Sequence, residues 1–117
     1  MLMWPAMSAG GGKNGLNANE AVQLMNREKA VIVDVCNADE YAAGQILAAK
    51  NIPVDRLATD LPLQVKNKAL PLLFVCASGI RSGKAATAAI KLGYEKVYTL
   101  RGGMGAWRSA NLPVEKA

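Results

Sequence analysis

Residues 72–82 read Leu-Leu-Phe-Val-Cys-Ala-Ser-Gly-Ile-Arg-Ser, and this stretch decides the architecture. Leu72 to Val75 is apolar at every position, which suits a strand covered on both faces and not one with a wet side. Cys76 ends the run. Ala77, Ser78 and Gly79 are small enough for the backbone to turn back on itself. From Ser82 to Leu92 the chain is alanine-rich at helical spacing, with Gly93 placed to cap the helix. A buried strand, a tight loop and a helix in succession are half of a strand–helix–strand unit. Backbone N–H groups in such a loop can converge on an anion, and the following helix points its positive end at the same place. Arg81 adds a permanent charge and a planar fork of donors. Each feature favours a thiolate at Cys76. Their combination marks it as a reactive thiol, against the plainer reading of a small buried apolar residue.

Working outward, the same alternation recurs. Asn17 and Glu20 have the spacing of a reciprocal N-terminal cap, and Ala21, Val22, Leu24 and Met25 continue a helix over Ala18 to Arg27. Val31 to Val35 is a β-branched strand. Asp39 to Ala43 reads as a short helix stopped by Gly44, and Asn51-Ile52-Pro53 as a short strand ended by proline. Asp55 to Lys66 has helical spacing interrupted by Pro62. Val97 to Leu100 is a strong strand, Ala106 to Ala110 a short helix, and Pro113 closes the ordered region. Strands separated by helices predict an α/β fold: one central parallel β-sheet flanked by helices on both faces, in a single domain. Ligand chemistry in such folds lies beyond the carboxyl ends of the strands, which here means the residues after Val35, Val75 and Leu100.

Composition narrows the chemistry. The chain has 117 residues, enough for one domain, with 51% hydrophobic and 20% charged residues. There is no histidine. That removes Ser-His-Asp and Cys-His nucleophile pairs, histidine acid–base catalysis and every metal site with a histidine ligand. Two cysteines exclude a four-cysteine metal site and a disulfide scaffold, so no metal and no cofactor are expected and a reducing compartment such as the cytoplasm is compatible. The net charge is +5. The Lys and Arg residues are scattered, with no basic block and no RNA-binding aromatic motif, so the charge is read as solvated faces plus a small-anion site and not as a nucleic-acid surface. Residues 1–15 differ from the rest: an apolar start, Met1 to Met7 with Trp4 and Pro5, then a glycine-rich run. Two readings of this segment stand, a flexible tail or the remnant of an inner-membrane anchor whose tether lies upstream of Met1. Residues 16–114 form the folded domain and 115–117 a short tail.

The segment around Cys76 to Arg81 resembles the active-site loop of single-domain rhodanese-like sulfurtransferases. Val33-Asp34-Val35, then Glu40-Tyr41 and Gly44, resemble that family's first signature, and Asn51-Ile52-Pro53 the Asn-Ile-Pro beyond it. Leu100-Arg101-Gly102-Gly103, Ala106-Trp107 and Leu112-Pro113 resemble the closing signature. Order and spacing agree from about Leu16 to Val114. Departures are Cys36 where the family usually carries Arg, Gln45 where His is common, and Leu47-Ala48-Ala49 in place of Pro-Gly-Ala. They bear on substrate preference more than on fold. The resemblance implies transfer of a sulfane sulfur through a persulfide on Cys76, from a small anionic donor such as thiosulfate to a thiol or cyanide acceptor, or from a protein persulfide partner. It places substrate binding on Ala77, Ser78, Gly79, Ile80, Arg81 and Ser82.

Loop length separates one rival. Phosphatases and arsenate reductases on this fold place five residues between Cys and Arg, whereas four, Ala77 to Ile80, lie between them here. A smaller ring of amides suits one sulfur better than a tetrahedral phosphate. The other rival is a non-catalytic or carrier module, since fold alone does not fix function. Among the remaining polar residues, Cys36 is read as a small residue at a strand end in preference to a resolving thiol, and Asp34 as a partner for loop N–H groups or for a basic residue in preference to a general base. Gly102 and Gly103 are read as a tight turn and Trp107 as core. Ser78 has two readings, hydroxyl donor or loop filler; Arg101 also has two, positive field near the loop or surface charge. Lys84 is an exposed lysine that needs no role.

Overall fold

The computed structural model describes residues 14–46, 49–76 and 80–114, with only the backbone of Asn14 and Ile80. Five parallel strands form one sheet: β1 (Asn14–Leu16), β2 (Val31–Asp34), β3 (Lys50–Asn51), β4 (Leu72–Val75) and β5 (Val97–Leu100), in the order β1-β5-β4-β2-β3. The helices are α1 (Ala18–Glu28), α2 (Ala38–Ala43), α3 (Leu57–Gln64, entered through a 3₁₀ turn at Val54–Arg56), α4 (Ile80–Lys91) and α5 (Gly103–Ser109). The expected α/β class with a central parallel sheet is what the chain adopts.

Side-chain alternation along the strands builds two cores. Val33, Leu72, Phe74 and Val97 face Leu57 and Leu61 of α3 and Ala85, Ala86 and Ala89 of α4. Ile32, Leu73, Val75, Tyr98 and Leu100 face Ala21 and Leu24 of α1 and Met104 and Trp107 of α5. Every residue of β4 is buried, as its unbroken apolar run requires. The alanines of α4 let that helix lie close on the sheet, and this proximity positions its first turn beside the end of β4.

Several boundaries differ from the sequence reading, each for a local reason. β1 begins inside the stretch read as a flexible segment, at Asn14 and Gly15, and ends at Leu16: Asn14 to Leu16 pairs with Tyr98 to Leu100 of β5, and a three-residue edge strand carries too little pattern to see. Pro62 sits inside α3 without interrupting it. The fully buried Leu57 and Leu61 hold the helix on the core, and the Val65 N–H closes its end on the Leu61 carbonyl at 2.8 Å. α2 starts at Ala38 because Asn37 and Glu40 form a reciprocal cap like that of Asn17 and Glu20. α5 begins at Gly103, following Gly102 at φ 73°, a left-handed conformation suited to glycine. α4 begins at Ile80, so Arg81 is a helical residue and not the closing residue of a loop.

Candidate active site

Sheet order creates the crevice. β4 connects onward to β5, and β2 connects onward to β3, on opposite sides of the β4–β2 pair. Crossovers leaving in opposite directions open a cleft at the carboxyl ends of these two strands. Cys76 follows β4 there and Cys36 follows β2, with Asp34 paired in register to Val75. Both cysteines are buried thiols with no disulfide.

Cys76 is fully buried. Its thiol lies 3.8 Å from the Ser82 hydroxyl oxygen, towards which it can donate, and Ser82 is itself fully buried in the first turn of α4. The Cys76 carbonyl accepts from the Met104 N–H at 2.8 Å, which ties the start of α5 to the end of β4. Of the residues expected to bind substrate, Ser82 and Arg81 stand on the first turn of α4, and Ile80 is its first residue. Ala77, Ser78 and Gly79 lie outside the described residues. The Ser82 hydroxyl contact is one that sequence pattern does not single out, since it points to Ser78 as the candidate hydroxyl.

Arg81 is not an open-handed cation. Its two terminal nitrogens, Nη1 and Nη2, donate to Oε1 and Oε2 of Glu40 at 2.7 and 2.9 Å, a bidentate pair joining α4 to α2. Glu40 Oε1 also accepts from the Asn37 N–H at 3.2 Å, so one carboxylate caps α2 and orients the arginine. The Arg81 hydrogen bonds, followed by that of the Asn37 backbone, hold the Glu40 carboxyl at about 2. The guanidinium is shifted upward in turn, chiefly by its bonds to Glu40. Sequence pattern could have found the Asn37–Glu40 cap, but nothing in it links Glu40 to an arginine 41 residues later.

Beside this pair the end of β2 is stitched down. The buried Asp34 accepts from the Cys36 N–H at 3.0 Å, as expected of a carboxylate that serves loop backbone. Burial raises its pKa above the ordinary carboxylate value, partly offset by its bonds from Cys36. The Asn51 side-chain amide donates to the carbonyls of Asp34 (3.1 Å) and Cys36 (2.9 Å), a clamp the sequence reading does not contain. Burial, then the Asp34 carboxylate, push the Cys36 thiol up to about 12. Cys36 is therefore a poor nucleophile at neutral pH, which agrees with its reading as a small strand-end residue. It lines a cleft of about 300 Å³ with Glu40, Met104 and Arg108.

The other singled-out residues fall into place. Trp107 is buried and donates its ring N–H to the Pro113 carbonyl at 2.8 Å. Arg101 is exposed and packs against Gly15 of β1, and Lys84 is exposed on α4. No helix among the described residues is long and apolar enough to cross a membrane, and no cluster among them could hold a metal ion.

Both the sequence and the fold match known proteins. The model of the family described as Rhodanese-like domain matches residues 17–110. The thiosulfate sulfurtransferase GlpE of Pseudomonas putida is 35% identical over 98 residues, covering 84% of this chain and 86% of the relative. GlpE of Shewanella oneidensis is 33% identical over 96 residues, covering 82% and 93%. An uncharacterised Escherichia coli protein, YibN, is 32% identical over 100 residues, covering 85% of this chain and 70% of its own. Among solved structures, a thiosulfate sulfurtransferase from Pseudomonas aeruginosa superposes with a TM-score of 0.82 at 25% identity, over 95% of this chain and 22% of that longer one.

Proposed function

Since the chain belongs to the rhodanese-like domain family, we propose that it is a sulfurtransferase that carries a sulfane sulfur as a persulfide on Cys76. The observation that carries the proposal is the placement of Cys76, buried at the end of the central strand with its thiol against the first turn of α4. The thiolate attacks the outer sulfur of a donor such as thiosulfate. A Cys–sulfur bond forms, the donor's sulfur–sulfur bond breaks, and its electron pair leaves with sulfite. A thiol or cyanide then takes the outer sulfur, and the electron pair of the broken bond returns Cys76 to thiolate.

This chemistry moves sulfur and not protons. Sulfite is a weakly basic leaving group, so a chain without histidine can perform it. The amides of Ala77 to Ser82, with the positive end of α4, are proposed to hold the persulfide anion as an oxyanion hole holds its charge. The Ser82 hydroxyl orients the sulfur. Arg81, fixed by Glu40, keeps α4 and α2 in place around the site. A protein persulfide serves as an alternative donor, and the reducing cytoplasm is the compartment that suits the thiol.

The test is steady-state kinetics with thiosulfate and cyanide. Parallel double-reciprocal lines are expected, the signature of a covalent carrier, and Cys76→Ser is expected to lower turnover at least a hundredfold. Intersecting lines, or a Cys76→Ser variant with wild-type turnover, would overturn the mechanism.

A further inference from the structure

The cleft beside Cys36 has a shape and charge that donor chemistry does not use. It opens where α5 meets the end of β4, since Met104, one of its lining residues, donates its N–H to the Cys76 carbonyl. Ala43, Gly44, Met104 and Gly105 give it an apolar floor, and Cys36, Arg108 and Glu40, the last already paired with Arg81, complete the lining. At about 300 Å³ it lies at the small end of ligand pockets. An inorganic donor such as thiosulfate has no carbon to lay on that floor. A small organic acceptor does.

The two arginines near the site are in different states. Arg81 is saturated by Glu40, and the pair is close to neutral as a unit. The Arg108 guanidinium makes no hydrogen bond or ion pair with any of the described residues. Arg108 is exposed, and its guanidinium approaches Gly44 end-on, with one terminal nitrogen next to where a Cβ would stand. Gly44 is extended at φ 176°, a conformation open to any residue, and the absence of a Cβ leaves room there for the end of the arginine side chain and for Val114. A fork of donors beside an apolar lining, with no partner among the described residues, suits a carboxylate.

Building on the sulfurtransferase reading, we propose that this cleft is the acceptor subsite, and that it selects small thiols bearing a carboxylate, which Arg108 binds. The acceptor's carbon skeleton lies on Met104 and Gly44, its carboxylate on Arg108, and its sulfur towards Cys76. The acceptor thiolate attacks the outer sulfur of the persulfide; a new sulfur–sulfur bond forms on the acceptor, the bond to the Cys76 sulfur breaks, and its electron pair stays on Cys76. Arg108 is a specificity residue and takes no part in bond-making.

The experiment compares mercaptoacetate with mercaptoethanol as acceptors, at equal thiolate concentration, using full-length protein first loaded with thiosulfate and checked by intact mass. Wild type is expected to prefer mercaptoacetate in kcat/KM. Arg108→Ala is expected to reduce that preference about three- to tenfold, mostly through KM, with partial rescue in Arg108→Lys. A protein that loads sulfur but shows no preference, or keeps it in Arg108→Ala, overturns the acceptor subsite and leaves the sulfurtransferase reading standing. A wild type that takes no sulfur from thiosulfate or from a protein persulfide overturns both.

Discussion

Replacing Glu40 by glutamine removes one charge and almost no volume, and it isolates the pair that fastens α4 to α2. The glutamine amide retains an oxygen for the Asn37 N–H but cannot accept both Arg81 nitrogens. A carboxyl held at about 2 in place of the ordinary 4.5 corresponds to roughly 3 kcal/mol if fully transmitted to stability. Glu40 is 38% and Arg81 33% exposed, and water and salt screen a pair at that depth, which leaves about 1 kcal/mol. The expected drop in Tm for a domain of this size is about 4–8 °C. The sign of the pH dependence follows from the downward displacement. The Glu40 contribution is fully present above the unfolded value near 4.5 and is lost as pH falls from there to about 2. Urea unfolding followed by circular dichroism at a series of pH values is the assay. Wild type should lose this increment between pH 4.5 and pH 2, whereas Glu40→Gln should lack it at every pH. Equal urea midpoints at neutral pH, or the same acid slope in both proteins, would refute the reasoning.

In a Cys76→Ser background Cys36 is the sole thiol; held up at about 12, it should be alkylated by iodoacetamide at pH 8 at least a hundredfold more slowly in the folded protein than in urea. Equal rates would show that Asp34 and burial do not restrain it. Ser82→Ala removes the hydroxyl 3.8 Å from the Cys76 sulfur and should slow single-turnover loading from thiosulfate about three- to tenfold, with a change of about 1 kcal/mol or less in unfolding free energy. An unchanged loading rate would remove Ser82 from the site.

What the sequence discloses depends on how local the cause is. The apolar run of β4, the caps of α1, the Gly102 turn and the small residues after Cys76 are local features, and they suffice for the parallel α/β fold and for the position of the thiol. β1 escapes because its three residues are held by pairing with β5, more than eighty positions away in the chain. Pro62 misleads because the buried Leu57 and Leu61 outweigh the single backbone bond that proline removes. Within the site, the role of Arg81 turns on a carboxylate 41 residues away, and the Asn51 clamp on a strand end 17 residues away. Such pairings are set by the folded topology. A carboxylate at position 40 or an amide at position 51 gives no sign of them beforehand.

The central claim is that Cys76 carries the sulfur, and intact-protein mass after incubation with thiosulfate tests it most directly, on wild type and Cys76→Ser without added reductant. The account predicts a gain of one sulfur, about 32 Da, on wild type alone, removed by cyanide. A gain that persists in Cys76→Ser would move the chemistry to Cys36 and contradict the account.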